Sequence, residues 1–238
     1  MTKKHLLIVL TVSLIVIISG ISVVILNRKS KSQNKIDYGV GDVNFGAETK
    51  KKIDLELALR AGDIQLGNVG AKVSIIAYDS LSCHHCANFY SEIFPKLKTQ
   101  YINSGLVNFV HRDFPLDSRA LSATKLLKCI QKTGNPASDK LMNIVLAVYA
   151  SQSDWVASKD FEEKLVKVFS LASLSSEDAN KCLTDKRLED EILESRIRIS
   201  GALGLNSTPS FFINGKLYNG HLDASGFIGA IESQLSSK

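Results

Sequence analysis

Cys83 and Cys86 stand two residues apart in Cys83-His84-His85-Cys86, a spacing suited to thiol–disulfide chemistry. One sulfur can attack a disulfide as a thiolate, and the other can resolve the mixed disulfide that forms. The pair follows the apolar run Val73-Ser74-Ile75-Ile76-Ala77-Tyr78 and precedes a helix-like stretch from Ala87 to Tyr101. Two cysteines thus fall at a helix start, where unpaired N–H groups and partial positive charge favour a thiolate. Zinc is the rival reading, with two cysteines and two histidines in four residues. Adjacent side chains do not readily close a tetrahedral shell, and the chain offers no second Cys-X-X-Cys or His-X-X-X-His; His5, His111 and His221 stand alone in the sequence. A purely structural disulfide is weaker still, because closing so short a loop removes little denatured-state entropy.

The N-terminus sets the compartment. Leu6 to Leu26 is an uncharged stretch of 21 residues, long enough to span a bilayer as a helix or to serve as a secretory signal. Gly20-Ile21-Ser22 is a poor cleavage site, and Val23 to Leu26 continues the apolar run, which favours a retained anchor. Of the 29 basic residues, six lie within residues 1–35 together with no acidic one, so the formal charge of +5 becomes −1 for the remainder. The basic balance belongs to the export segment, and a nucleic-acid surface is excluded. Four cysteines in an exported chain suggest two disulfides. With Cys83 and Cys86 as one pair, Cys129 and Cys182 are either a second, structural pair or two unrelated buried thiols. The oxidising compartment favours the bridge.

The elements that must position the cysteines can be read along the chain. Residues 1–26 are leader or anchor, 27–53 a polar linker, and 54–238 a single globular domain. Ile64 to Leu66 reads as a short edge strand, Val73 to Tyr78 as a buried central strand, and Leu106 to Val110 as a second strand. Phe89, Ile93, Leu97 and Tyr101 recur at helical spacing between the last two, giving a βαβ unit, and Pro95 predicts a kink. From about 118 to 201 no good strand occurs. Helical stripes pass through Leu121–Cys129, Leu141–Val148, Phe161–Phe169, a capped segment at Ser175 carrying Cys182, and Leu188–Ile199. Strand signals return at Ser210 to Ile213; Asn214-Gly215 is a hairpin signal, and Ala224 to Leu235 closes as a helix.

This constellation resembles the thioredoxin superfamily, specifically DsbA-type thiol–disulfide oxidoreductases, from about Asp63 to Leu235. The resemblance rests on the Cys-His-His-Cys after a strand, the helical insertion after the second strand, and Thr208-Pro209-Ser210-Phe211-Phe212-Ile213-Asn214-Gly215 before the hairpin. It implies an α/β thioredoxin-like fold with a large all-helical insertion. It also implies Cys83 as nucleophile, Cys86 as resolving cysteine, and Pro209 as a cis-proline beside them. Thr208, Pro209 and His84 would border the substrate. His85 matches the histidine of the usual Cys-Pro-His-Cys and would stabilise the Cys83 thiolate, while His84 departs from that pattern and reads also as an exposed turn residue. Many relatives carry a buried glutamate six residues before the first cysteine, where this chain has Ala77. Proton transfer at Cys86 then needs water or another group. Asp79 is the candidate, unless it is a surface turn or capping residue.

The activity implied is oxidation of thiol pairs in exported proteins, in the bacterial periplasm or cell envelope. No bound cofactor and no metal are required, and a DsbB-like quinone-linked membrane protein would reoxidise the enzyme. The expected state is a monomer, tethered through residues 6–26 if they are retained. Disulfide isomerase or reductase activity is the alternative within enzymes. A membrane-tethered thioredoxin-like binding module is the alternative outside them.

Overall fold

The computed structural model describes residues 47–134 and 136–237; the leader and residues 27–46 of the expected linker lie outside them. The first described element is a helix, α1 (Ala47–Leu57), whose start falls inside the segment expected to be linker. Glu56 and Ala58 explain its docking. Their carbonyls accept hydrogen bonds from the buried Arg112, which also forms an ion pair with Asp63 at 2.7 Å. The composition of α1 is polar, so nothing in its hydropathy announces this anchorage.

Five strands form one sheet in the order β1-β3-β2-β4-β5, built from β1 (Ile64–Gly67), β2 (Val73–Asp79), β3 (Val107–Asp113), β4 (Ser210–Ile213) and β5 (Lys216–Leu217). β2 and β3 run parallel, as the βαβ reading requires, and the other pairings are antiparallel. β2 is almost wholly buried, consistent with its central place. β1 is the edge strand expected at Ile64. The hairpin turns on Asn214 and Gly215, both at positive φ, which matches the twist of a two-residue hairpin. β3 runs three residues past the Val110 limit expected from hydropathy, because His111, Arg112 and Asp113 are polar yet buried or nearly so.

The helix after the redox turn, α2 (residues 84–102), alternates α turns at His84–Asn88 and Phe94–Leu97 with π turns at Phe89–Ile93 and Lys98–Ile102. Phe89, Ile93, Leu97 and Tyr101 are each four residues apart and all buried. A pure α-helix of 3.6 residues per turn would swing such a series off one face, whereas wider π turns keep it aligned. Pro95 enters at the start of an α turn that follows a π turn, so its missing N–H produces a change of helix type where a kink was expected.

The insertion comprises α3 (Ser118–Gly134), α4 (Ser138–Ala150), α5 (Gln152–Trp155), α6 (Phe161–Ser170), α7 (Ser176–Thr184) and α8 (Lys186–Leu203). Ser175 caps α7 by accepting from the Asp178 N–H. The four-residue α5 was not legible in the sequence; its Trp155 is fully buried and donates from Nε1 to the Val148 carbonyl at 3.2 Å. Helix α9 (Ala224–Ser236) completes the fold. One core joins α2, the insertion and α9 to the face of the sheet carrying Val73, Ile75, Val107 and Phe109, with Phe89 at an aromatic cluster formed by Phe94, Phe109, Phe211 and Phe227. A smaller core on the opposite face holds Ile76, Tyr78, Val110, Phe212 and Ile199. Among the described residues no helix is long and apolar enough to cross a membrane.

Candidate active site

Cys83 is the N-cap of α2, with extended backbone dihedrals, and Cys86 lies within the first helical turn. Cys83 is half-buried and Cys86 fully buried, both as free thiols. The turn that presents them is held from below by the insertion. Gln152 Nε2 donates to the Leu81 carbonyl at 2.9 Å and to the Cys83 carbonyl at 3.1 Å, and Tyr149 donates to the Ser80 carbonyl. Ser82 donates to Asp117 at 2.7 Å. The Gln152 and Tyr149 braces come from residues about 70 positions away and Asp117 from 35 away, and no local sequence signal marks them.

The two sulfurs have opposite electrostatics. The Cys86 thiol, hydrogen-bonded to Cys83, stabilises the Cys83 thiolate; burial opposes this, and the Thr208 side chain and the N–H groups of Cys86 and His85 add to it. The outcome is a Cys83 pKa of about 5. Burial, reinforced by the Cys83 sulfur and the Asp79 charge, pushes the Cys86 thiol far up. One sulfur is therefore a thiolate at neutral pH and its neighbour a protonated thiol.

Thr208 and Pro209 lie against this pair although more than 120 residues separate them in the chain. The Thr208–Pro209 peptide bond is cis, and Cys83 Sγ is 3.3 Å from the Thr208 carbonyl oxygen. His84 and His85 are both exposed. His84 Nε2 meets Asn88 at 3.4 Å. The His85 ring makes no hydrogen bond among the described residues, while its backbone N–H contributes to stabilising the Cys83 thiolate. Cys129 and Cys182 form a disulfide between α3 and α7, with α-carbons 6.1 Å apart.

The structure decides between the two readings left open for Asp79 and gives His111 a place that the sequence did not show. Asp79 is no surface turn or helix cap: it is 1% exposed, and its Oδ2 accepts from Tyr90 at 2.6 Å and meets His111 Nδ1 at 3.1 Å. His111, isolated in the sequence, is buried between two carboxylates, with its Nε2 facing Asp113 Oδ1 at 3.5 Å. Lys128 in turn pairs with Asp113 Oδ2 at 3.1 Å. Burial pushes the His111 imidazole down, but Asp113 and Asp79 outweigh it and raise its pKa to about 9. Burial likewise opposes ionisation of Asp113, which the Lys128 and His111 charges nevertheless hold at about 2. A hint was available: Val107, Phe109, His111 and Asp113 alternate as one face of a strand should.

Comparison with known proteins agrees with this geometry. A family model described as Thioredoxin matches residues 60–233. The "Putative protein-disulfide oxidoreductase" of Rickettsia bellii is 30% identical over 165 residues, covering 69% of this chain and 62% of the relative. The chain thus spans about three fifths of the length of the curated relative it matches. The crystal structure of α-DsbA1 from Wolbachia pipientis superposes with a TM-score of 0.68 at 29% identity, covering 77% of this chain and 96% of that one. Oxidised BdbD from Bacillus subtilis shares the fold with a TM-score of 0.64 at 18% identity, covering 74% and 94%.

Proposed function

Since the chain belongs to the thioredoxin superfamily as a DsbA-type member, we propose that it is an exported protein thiol–disulfide oxidoreductase that introduces disulfides into secreted or periplasmic proteins. The observation that carries this reading is the asymmetry of the pair, a half-buried Cys83 near pKa 5 beside a buried, protonated Cys86. A substrate thiolate attacks Cys83 Sγ of the oxidised enzyme, and the Cys83–Cys86 bond breaks. A second substrate thiolate then attacks the substrate sulfur of the mixed disulfide. The substrate leaves oxidised, and Cys83 departs as a thiolate. A thiolate stabilised in the folded protein makes the reduced form the favoured one, which is what makes a disulfide oxidising.

Thr208 and Pro209 supply the surface against which an extended substrate lies, with His84 at its rim and His85 beside the sulfur. Residues 6–26 act as signal or anchor, and residues 27–46 as a spacer to the folded domain. A quinone-linked membrane protein of the DsbB type returns the pair to the disulfide. The deciding measurement is the reduction potential of Cys83–Cys86 against glutathione. A value well above the roughly −270 mV of thioredoxin supports an oxidase, whereas a value near it replaces this reading with a reductase.

A further inference from the structure

We propose that Gln152 is a positioning residue for the redox pair: its side-chain amide clamps the backbone at Leu81 and Cys83, so that the helical insertion sets how strongly the pair oxidises. This inference rests on the redox reading above and adds a residue to it. Gln152 is 7% exposed, and both N–H bonds of its Nε2 donate to main-chain carbonyls, Leu81 at 2.9 Å and Cys83 at 3.1 Å. The Cys83 carbonyl also accepts the Ala87 N–H at 3.1 Å, so both of its lone pairs are engaged. Leu81 and Cys83 are thus fixed on either side of Ser82, and the peptide leaving Cys83 cannot turn. That peptide starts the helical turn whose His85 and Cys86 N–H groups meet the Cys83 sulfur. Sulfur and donors stay in register only while the backbone between them holds its angle.

The clamp is itself anchored. Gln152 opens α5, and its carbonyl accepts the Val156 N–H at 3.0 Å. Trp155 of the same short helix is fully buried and donates to the Val148 carbonyl at 3.2 Å, which locks the corner between α4 and α5. Tyr149, at the end of α4, reaches the turn separately. Its hydroxyl donates to the Ser80 carbonyl at 3.3 Å, and its ring stacks on Tyr90. The groups that hydrogen-bond the Cys83 sulfur are Cys86, Thr208 and His85, none of them from the insertion. Among the described residues, Gln152 is the insertion's hydrogen-bonding link to Cys83.

The two redox states need this clamp unequally. In the disulfide, the covalent bond to Cys86 holds the Cys83 sulfur in place. In the dithiol, only hydrogen bonds and the backbone frame hold it against the N–H groups. Removing the clamp therefore destabilises the reduced form more than the oxidised one. The thiolate loses stabilisation, and the disulfide becomes a weaker oxidant. An amide that only filled space or braced the corner would affect both forms alike and leave their difference untouched.

The test uses the full chain with Gln152→Met, which keeps the length of the side chain and removes both donors. Gln152→Glu also adds a negative charge. Equilibrium with glutathione reads the potential, thiolate absorbance against pH reads Cys83, and denaturant unfolding of the oxidised protein reads stability. Gln152→Met should raise the Cys83 pKa by about half a unit or more, and shift the glutathione equilibrium about threefold or more toward the disulfide form. Gln152→Glu should shift both further. Tyr149→Phe is the control for a loosened insertion. It should lower stability yet leave the Cys83 pKa in place, since its lost bond ends at Ser80. Lost stability with unchanged pKa and equilibrium in Gln152→Met overturns the proposal, and so does an equal pKa shift in Tyr149→Phe. The wild type gives a reading that misfolding of a variant cannot spoil. The Gln152 side-chain ¹⁵N resonance should titrate with Cys83, near pH 5, in the reduced protein and stay flat in the oxidised one. A resonance that ignores the Cys83 titration overturns the clamp. Wild type that forms no Cys83–Cys86 disulfide at any glutathione ratio overturns the redox pair itself, and the clamp with it.

Discussion

Cys83 owes its low pKa first to the neighbouring thiol, then to the Thr208 side chain and to the backbone N–H groups of Cys86 and His85. Cys86→Ala should therefore raise the Cys83 pKa by about one unit or more, equivalent to at least about 1.4 kcal/mol. Thiolate absorbance during a pH titration measures it, and an unchanged midpoint near pH 5 would assign the stabilisation elsewhere. By the same reasoning His85→Ala should shift the reduction potential by less than about 30 mV, since the ring holds no hydrogen bond to lose. A glutathione equilibrium decides this; a larger shift would show that the charge of the exposed ring reaches the sulfur.

The elements that bear the redox turn were largely legible in the sequence, and the exceptions share a cause. Strand β2, α2, the hairpin, α9 and five of the six insertion helices announce themselves through periodicity, caps or the Asn-Gly turn. The missing parts are polar segments whose burial is decided by distant partners. The end of β3 carries His111, Arg112 and Asp113, α1 is tied by Arg112, and α5 contributes Gln152. Hydropathy cannot distinguish such residues from a loop, because their partners lie tens of positions away. Cys129–Cys182 is the opposite case, inferred from compartment and cysteine count and then found as a bond. It joins residues separated by 53 positions, so replacing both cysteines by alanine should cost about 3–4 kcal/mol of stability. Denaturant unfolding of oxidised wild type against the double variant checks this; a negligible loss would mean that helix packing alone fixes α7.

Across the whole molecule, the buried His111–Asp113 pair makes stability depend on pH in two directions. The His111 pKa is raised from 6.5 to about 9, so its contribution is complete below pH 6.5 and lost as pH rises through 9. Asp113 is depressed from 3.8 to about 2, so its contribution is present above pH 3.8 and lost as pH falls through 2. Unfolding free energy of the oxidised protein should fall between pH 7 and 9.5 by the order of 3 kcal/mol, and His111→Gln should remove that slope. A wild-type stability flat across this range would mean that the imidazole is neutral. Trp155 allows the two halves of this behaviour to be watched apart. It is the single tryptophan of the chain and is enclosed in the insertion, three residues from the Gln152 that supports the Cys83 backbone. Its emission is a native optical gauge of the insertion, blind to the aromatic cluster under the sheet. If the insertion loosens before the sheet does, a red shift will precede the loss of strand signal, and Cys86 will become open to alkylation at the same moment.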